Sequence, residues 1–292
     1  MKGKAWLAPF VLALAVAAQD ESERPIWDEE FLSKRRADSA ASRKPVIYRI
    51  RTDQAAQGSE PDPSRPATML GITLWRLRPP GGAEKPGARL LVHESSGGDL
   101  VNQELERIGP ETEFSDGDRV RISVEGSVNG YLYVIDREQY ADGAMSAPYL
   151  IYPNGLTQAG DNFLAPGRLI DIPDQRDRPN VLTVQSKQGL QTAEALSFLV
   201  TPQPIENLDT GDGPVKLDVA LYREWESKWG AKAEVFELQT TNAPVWTPQE
   251  KRASADHHNR LTQSDPPPQT LYRIAVAPRS PFLLQVLLRL KN

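Results

Sequence analysis

Three histidines, His93, His257 and His258, are the imidazoles this chain offers for metal binding or proton transfer. His257 and His258 are adjacent, so in a helix or strand their side chains diverge and do not share a metal. No H-E-x-x-H pattern accompanies them. His93 could act as the base of a nucleophilic triad, but no G-x-S-x-G elbow or S-x-x-K pair supports it. Asp136, Glu138 and Asp142 cluster around Tyr140 in a polar stretch. Two such carboxyls could serve a glycoside hydrolase, and their separation in space would decide it. Asn207, Asp209 and Asp212 in "NLDTGDG" offer oxygen ligands, yet Gly211 stands where an EF-hand needs another. Asx-Gly turn chemistry explains that loop as well. "SDGD" (115–118) reads as a strand-entry turn, and "GDG" lacks the Lys-Ser/Thr of a phosphate loop. We therefore expect no catalytic residue, no cofactor and no metal site.

The elements that must hold these groups are strands. "GDRVRISVEGSVNGYLYVID" (117–136) alternates Val120, Ile122 and Val124 with Arg121, Ser123 and Glu125, the pattern of a half-buried strand. Asn129-Gly130 predicts a two-residue hairpin that pairs Val128 with Tyr131 and Gly126 with Tyr133. Further strands are predicted at 69–77, 88–94, 148–153, 168–173, 180–186, 195–202 and 233–241, separated by Gly, Pro, Asn and Asp clusters. "TLYRIAV" and "FLLQVLLRL" near the C-terminus should pair back into the main sheet, because exposed apolar strands invite aggregation. One segment is helical: Leu217, Leu221, Trp225 and Trp229 repeat every four residues, Glu224 and Lys228 form an i,i+4 pair, and Gly230 ends it. The Trp stripe reads as a helix face packed on a sheet rather than as a ligand platform.

The ordered motifs "GDRVRISVEGSVNGYLYVID", "YLIYPN", "GDNFLAPGRLIDIP" and "LVTPQP" resemble a bacterial domain-of-unknown-function family, number 4384, over about residues 91–204. "REWESKWG" and "PQTLYRI" are similar to its longer, secreted, stand-alone members. The resemblance implies a compact β-rich domain and attaches no activity to it.

The N-terminus carries Lys2, Lys4 and an apolar run from Ala5 to Ala18, with small residues before Gln19. This is the pattern of a secretory signal peptide, too short to span a bilayer. Cleavage near Ala18 removes two lysines and no acid, so the net charge moves from −5 to −7. An acidic chain without basic runs does not suit nucleic acid. The absence of cysteine removes disulfides, thiolate metal sites and a Cys nucleophile together, and no lipid-anchor cysteine follows the apolar run. Residues 19–67 are rich in charge, Pro, Gly and Ser and should be a flexible segment, with a short helix within Trp27–Ala37 and a strand at 45–50.

Together these observations predict a mainly β protein, an antiparallel sandwich of immunoglobulin-like or related type. One β-rich domain fills 68–292, with the family-like core at 91–204, a helix at 216–229 and terminal strands at 270–290. The expected function is a periplasmic or secreted non-catalytic module that binds a protein, peptide or glycan, without membrane span or lipid anchor. Its candidate surface is Asp136, Glu138, Tyr140, Asp142, Tyr149 and Tyr152, on and beside a loop at 136–147. The competing expectation is a hydrolase using carboxylates or His93.

Overall fold

The computed structural model describes residues 31–37, 47–50, 66–78, 104–109, 111–157, 160–174, 177, 179–185, 190–239, 260–263 and 265–291. The predicted signal peptide, the strand at 88–94 and all three histidines lie outside them.

Two antiparallel sheets face each other. Sheet I contains β1 (Ile47–Ile50), β2 (Thr68–Arg78), β3 (Glu104–Ile108), β4 (Arg119–Gly126), β8 (Ile170–Ile172), β9 (Leu182–Thr183), β12 (Ala233–Gln239) and β13 (Thr270–Ile274). Its order is β1-β12-β13-β2-β4-β8, with β3 taking over from β13 beside the far half of β2, and β9 following β8 beside β4. Sheet II contains β5 (Gly130–Tyr140), β6 (Tyr149–Tyr152), β7 (Phe163–Leu164), β10 (Gln191–Thr201), β11 (Val215–Lys216) and β14 (Phe282–Arg289), in the order β11-β6-β5-β10-β14, with β7 also on β5. The terminal strands do pair back, one into each sheet.

The period-2 alternation read from the sequence sorts side chains as it should. Leu70, Ile72 and Leu74 from β2 and Val120, Ile122 and Val124 from β4 meet Leu132, Val134, Leu196, Phe198, Leu284 and Val286 from sheet II in one buried core. Apolar surface removed from water here drives the two sheets together, at roughly 25 cal/mol per Å².

The predicted hairpin at Asn129-Gly130 is not one. β4 pairs with β2, β8 and β9, whereas β5 pairs with β10, β6 and β7, so residues 127–129 arch from one sheet to the other. Neither Asn129 nor Gly130 has positive φ, so no type I′ turn forms. The flanking glycines serve close packing instead. A Cβ on Gly126 would come within 2.5 Å of Leu164, and one on Gly130 within 2.9 Å of Val200. Both strands are apolar on the inner face, and facing each other across the core buries more of that surface than pairing edge to edge.

The outer face of sheet II is covered by α1 (Val219–Trp229). Asp218 caps it, its Oδ1 accepting from the backbone N–H of Ala220 at 2.6 Å and of Leu221 at 3.4 Å. Tyr222 and Trp225 are buried against Tyr133, Ile135, Leu150, Leu199 and Leu283, and Trp229 stacks on Trp225 at 6.4 Å. The Trp stripe is thus a packing face. Gly230 ends the helix at φ −56°, outside the left-handed region, and a Cβ there would meet the Glu226 carbonyl oxygen at 2.3 Å. Lys228 leans over the Trp229 ring at 5.1 Å, and both it and Glu224 are exposed.

The outer face of sheet I meets a strap, Phe31–Ala37, which makes a 3-10 turn at Leu32–Lys34, and residues 260–263 and 265–269. Phe31 is 1 % exposed and packs with Met69, Phe236 and Leu271. Part of the N-terminal segment expected to be flexible is therefore docked, and β1 continues sheet I beside β12.

Candidate functional site

Along β5 the inward positions run Leu132, Val134, Asp136, Glu138, Tyr140, so the apolar face turns acidic towards one end of the sandwich. The neighbouring strands place more polar groups on that face. β10 sets Glu194 opposite Glu138 and Gln191 opposite Tyr140, and β6 sets Tyr149 opposite Asp136. Five of the six predicted surface residues meet at this end, Asp142 at its tip. β5 runs on through Tyr140, so the expected loop at 136–147 is in fact strand followed by a tight hairpin. Gly143 N–H donates to the Tyr140 carbonyl, Tyr140 N–H to that of Ala144, and Ser146 N–H to that of Glu138, each at 2.9 Å. Asp142 caps the turn by accepting from Ala144 N–H at 2.9 Å. Ala141–Ala144 are exposed, as are Tyr149 at 40 % and Leu190 at 65 %.

Tyr152 does not belong to this surface. It is fully buried in the core and its hydroxyl donates to the Asp161 carbonyl at 2.8 Å. Burial holds that hydroxyl far above the usual phenol range. The register shifts between Val134 and Ile135 where β6 joins β5, so Tyr149 and Tyr152 both face inward although an odd number of positions separates them.

The site's electrostatics centre on Asp136 and Glu194. Burial is the main cause that raises both carboxyls above the usual range. Repulsion from Asp136 and Glu138 adds to it at Glu194, and repulsion from Glu138 adds to it at Asp136, where a hydrogen bond with Glu194 works the other way. Asp136 Oδ1 and Glu194 Oε2 are buried and meet no donor among the described residues. A proton shared between the two carboxyls would supply one, consistent with the raised values of both. Gln191 Nε2 donates to Glu194 Oε1 at 2.7 Å, and the Tyr140 hydroxyl donates to Glu138 Oε2. The arrangement can hold a proton and present negative charge beside tyrosine rings.

Glu194 and Gln191 escaped the sequence reading. Their one signal was a polar residue at inward positions of an otherwise apolar run, "QTAEALSFLV". In "NLDTGDG", Asp209 Oδ1 accepts from Gly211 N–H at 3.1 Å, Asn207 and Gly211 take positive φ of 58° and 48°, and the Gly211 carbonyl accepts from Gly155 N–H at 2.7 Å. This is turn chemistry. No group of three His, Asp or Glu side chains that could hold a metal occurs among the described residues. "SDGD" is a strand-entry turn, with Ser115 N–H donating to Asp118 Oδ2 at 2.9 Å.

Residues 113–197 match the model of a family described as "Domain of unknown function (DUF4384)". The matched span runs from the turn before β4 into the middle of β10, and it holds every residue of the acidic end. No curated protein and no solved structure matches the chain.

Proposed function

We propose that this chain, which carries the DUF4384 domain across the centre of its sandwich, is an exported, non-catalytic module. It binds a protein, peptide or glycan of the cell envelope or extracellular space through the acidic, tyrosine-edged end. Export is supported by Lys2, Lys4 and the apolar run Ala5–Ala18. One observation carries the binding reading: the β5–β10 register gathers Asp136, Glu138 and Glu194 on one face at one end of the sandwich. A basic segment of a partner would meet this acidic cluster, and Tyr149 adds an exposed ring for a cation to rest on. The reading therefore favours a basic segment of a protein or peptide over a neutral glycan.

The test is affinity capture from the organism's own envelope fraction, comparing the mature chain with a Glu138→Gln/Tyr149→Ala variant. A partner captured by the first, lost by the second and released by salt is the expected result. Equal capture by both would remove this end from the binding surface. The hydrolase alternative draws on the proton-sharing pair alone. It requires turnover of a supplied peptide or glycoside that Glu194→Gln abolishes.

A further inference from the structure

We infer that the outer face of sheet I is a groove for a peptide that makes one 3-10 turn and bears an aromatic residue and, four residues later, an arginine. The strap Phe31–Ala37 is the copy of that peptide which the chain supplies to itself. This site lies on the face of sheet I away from the core and does not depend on the acidic end.

Two anchors define the groove. Phe31 fills an apolar socket of Met69, Phe236 and Leu271. Arg35 enters a polar socket in which Nε donates to Glu125 Oε1 at 2.9 Å and Nη2 to Oε2 at 2.6 Å. Its Nη1 also donates to the Asp265 carbonyl at 2.8 Å. Both side chains of the ion pair are at most 1 % exposed. The planar fork matches a carboxylate in a way that a lysine ammonium cannot. Between the anchors Lys34 Nζ donates to the Ser127 carbonyl at 3.0 Å, and past them Gln263 N–H donates to the Arg36 carbonyl at 3.0 Å.

The chemistry of the face argues that the strap leaves. Beside Arg35, outward positions of β2 and β4 carry Thr73, Ser123 and Glu125, polar residues that are each buried, although Met69 and Trp75 make other parts of that face apolar. A face covered at all times is at least as stable with apolar residues, because a buried ion pair seldom repays its desolvation. The seal is also incomplete. A cavity of about 10 Å³, enough for one water, lies among Arg35, Thr73, Ser123, Glu125 and Pro266–Pro268. Glu125, Ser123 and Asp171 fall within the family-matched span and the strap falls outside it. The carboxylate anchor thus lies within the matched span, whereas the Phe31 socket, Asp265 and the strap lie outside it.

The test uses the full chain carrying Phe31→Ala and Arg35→Ala, titrated with a labelled peptide of sequence FLSKRRA. Saturable binding is expected. It should be abolished when Glu125→Gln is added, and at least about tenfold weaker to the unaltered chain, whose tethered strap competes at high effective concentration. A folded double variant that ignores the peptide, or binding indifferent to Glu125→Gln, overturns the inference. Should the double variant not fold, hydrogen exchange on the unaltered chain reads the same property. The amides of Arg36 and Gln263 should exchange through a smaller opening than those of Ile122 and Val124, and equal protection overturns the inference.

Discussion

Asp136 and Glu194 are diagonal neighbours. In register Asp136 faces Leu196 and Glu194 faces Glu138, yet the two carboxyls reach across the offset to each other. Diagonal side chains on adjacent strands lie about 7–8 Å apart at Cα, within reach of an Asp and a Glu that lean together. Two anions would repel there, and one shared proton turns the repulsion into a hydrogen bond.

The pair makes stability depend on pH. Its two members are raised to about 6 and about 8 from ordinary values of 3.8 and 4.5. The folded chain therefore holds more protons than the unfolded chain across that interval. Stability contributed by the pair is complete below about pH 4 and is lost as pH rises through about 8. Glu194→Gln removes the second charge and keeps a hydrogen-bond donor. Thermal melts at pH 9 should show the variant more stable than the parent by on the order of 1 kcal/mol, or roughly 2–4 °C. The gap should shrink towards pH 5. A gap that is flat across this range would show that the carboxyls do not titrate as a pair.

The arch at 127–129 separates itself from a hairpin by mutation. Asn129 is exposed and has ordinary φ, so Asn129→Ala should change stability by less than about 0.5 kcal/mol. Gly126→Ala pushes a methyl into Leu164 and should cost about 1–3 kcal/mol. A type I′ hairpin would give the opposite ranking at Asn129. Urea midpoints of the two variants decide it.

The chain Trp75–Ser123–Asp171 is buried and continuous: Trp75 Nε1 donates to Ser123 Oγ at 2.8 Å, and that hydroxyl donates to Asp171 Oδ1. Ser123→Ala takes away the acceptor of the indole and one donor of the carboxylate at once. A loss of about 1–3 kcal/mol is expected, read by urea unfolding followed through tryptophan fluorescence.

The helix should report its own two supports differently. Asp218→Ala removes the cap and should cost about 1 kcal/mol. Trp225→Ala empties the seat on sheet II, with an expected cost of about 3–5 kcal/mol. Circular dichroism near the helical band would show helix loss in the second variant before the sheets melt.

Most strands were legible because each is decided locally, but Glu104–Ile108 was not read as one, and the helix expected from 216 begins only at Val219, after the short strand Val215–Lys216. Val120, Ile122 and Val124 alternate whatever their partner is, and the repeat of Leu217, Leu221, Trp225 and Trp229 marks a helix without reference to anything distant. Partners were not legible. The same residues 119–136 serve a hairpin or an arch equally well, and the choice rests on β2 and β10, which lie far away in the chain. The acidic end was half visible for the same reason. Asp136, Glu138 and Tyr140 sit together in sequence, whereas Glu194 joins them only through the β5–β10 register. Tyr152 was misplaced because an irregularity in pairing shifts the face it presents, and alternation alone cannot register that shift.

The order of strands in the two sheets has a consequence for timing. β2, near the start of the described chain, takes β13 as a neighbour, and β10 takes β14. Both of these late strands lie beyond residue 269, so neither sheet has its full complement until the last stretch of polypeptide is present. The matched domain alone would start with β4 and β10 each lacking a flank. Assembly that waits on such distant pairings is slow compared with hairpin-by-hairpin growth. A nascent chain interrupted before Phe282 would hold β10 as an unfinished edge, open to other chains in the same condition.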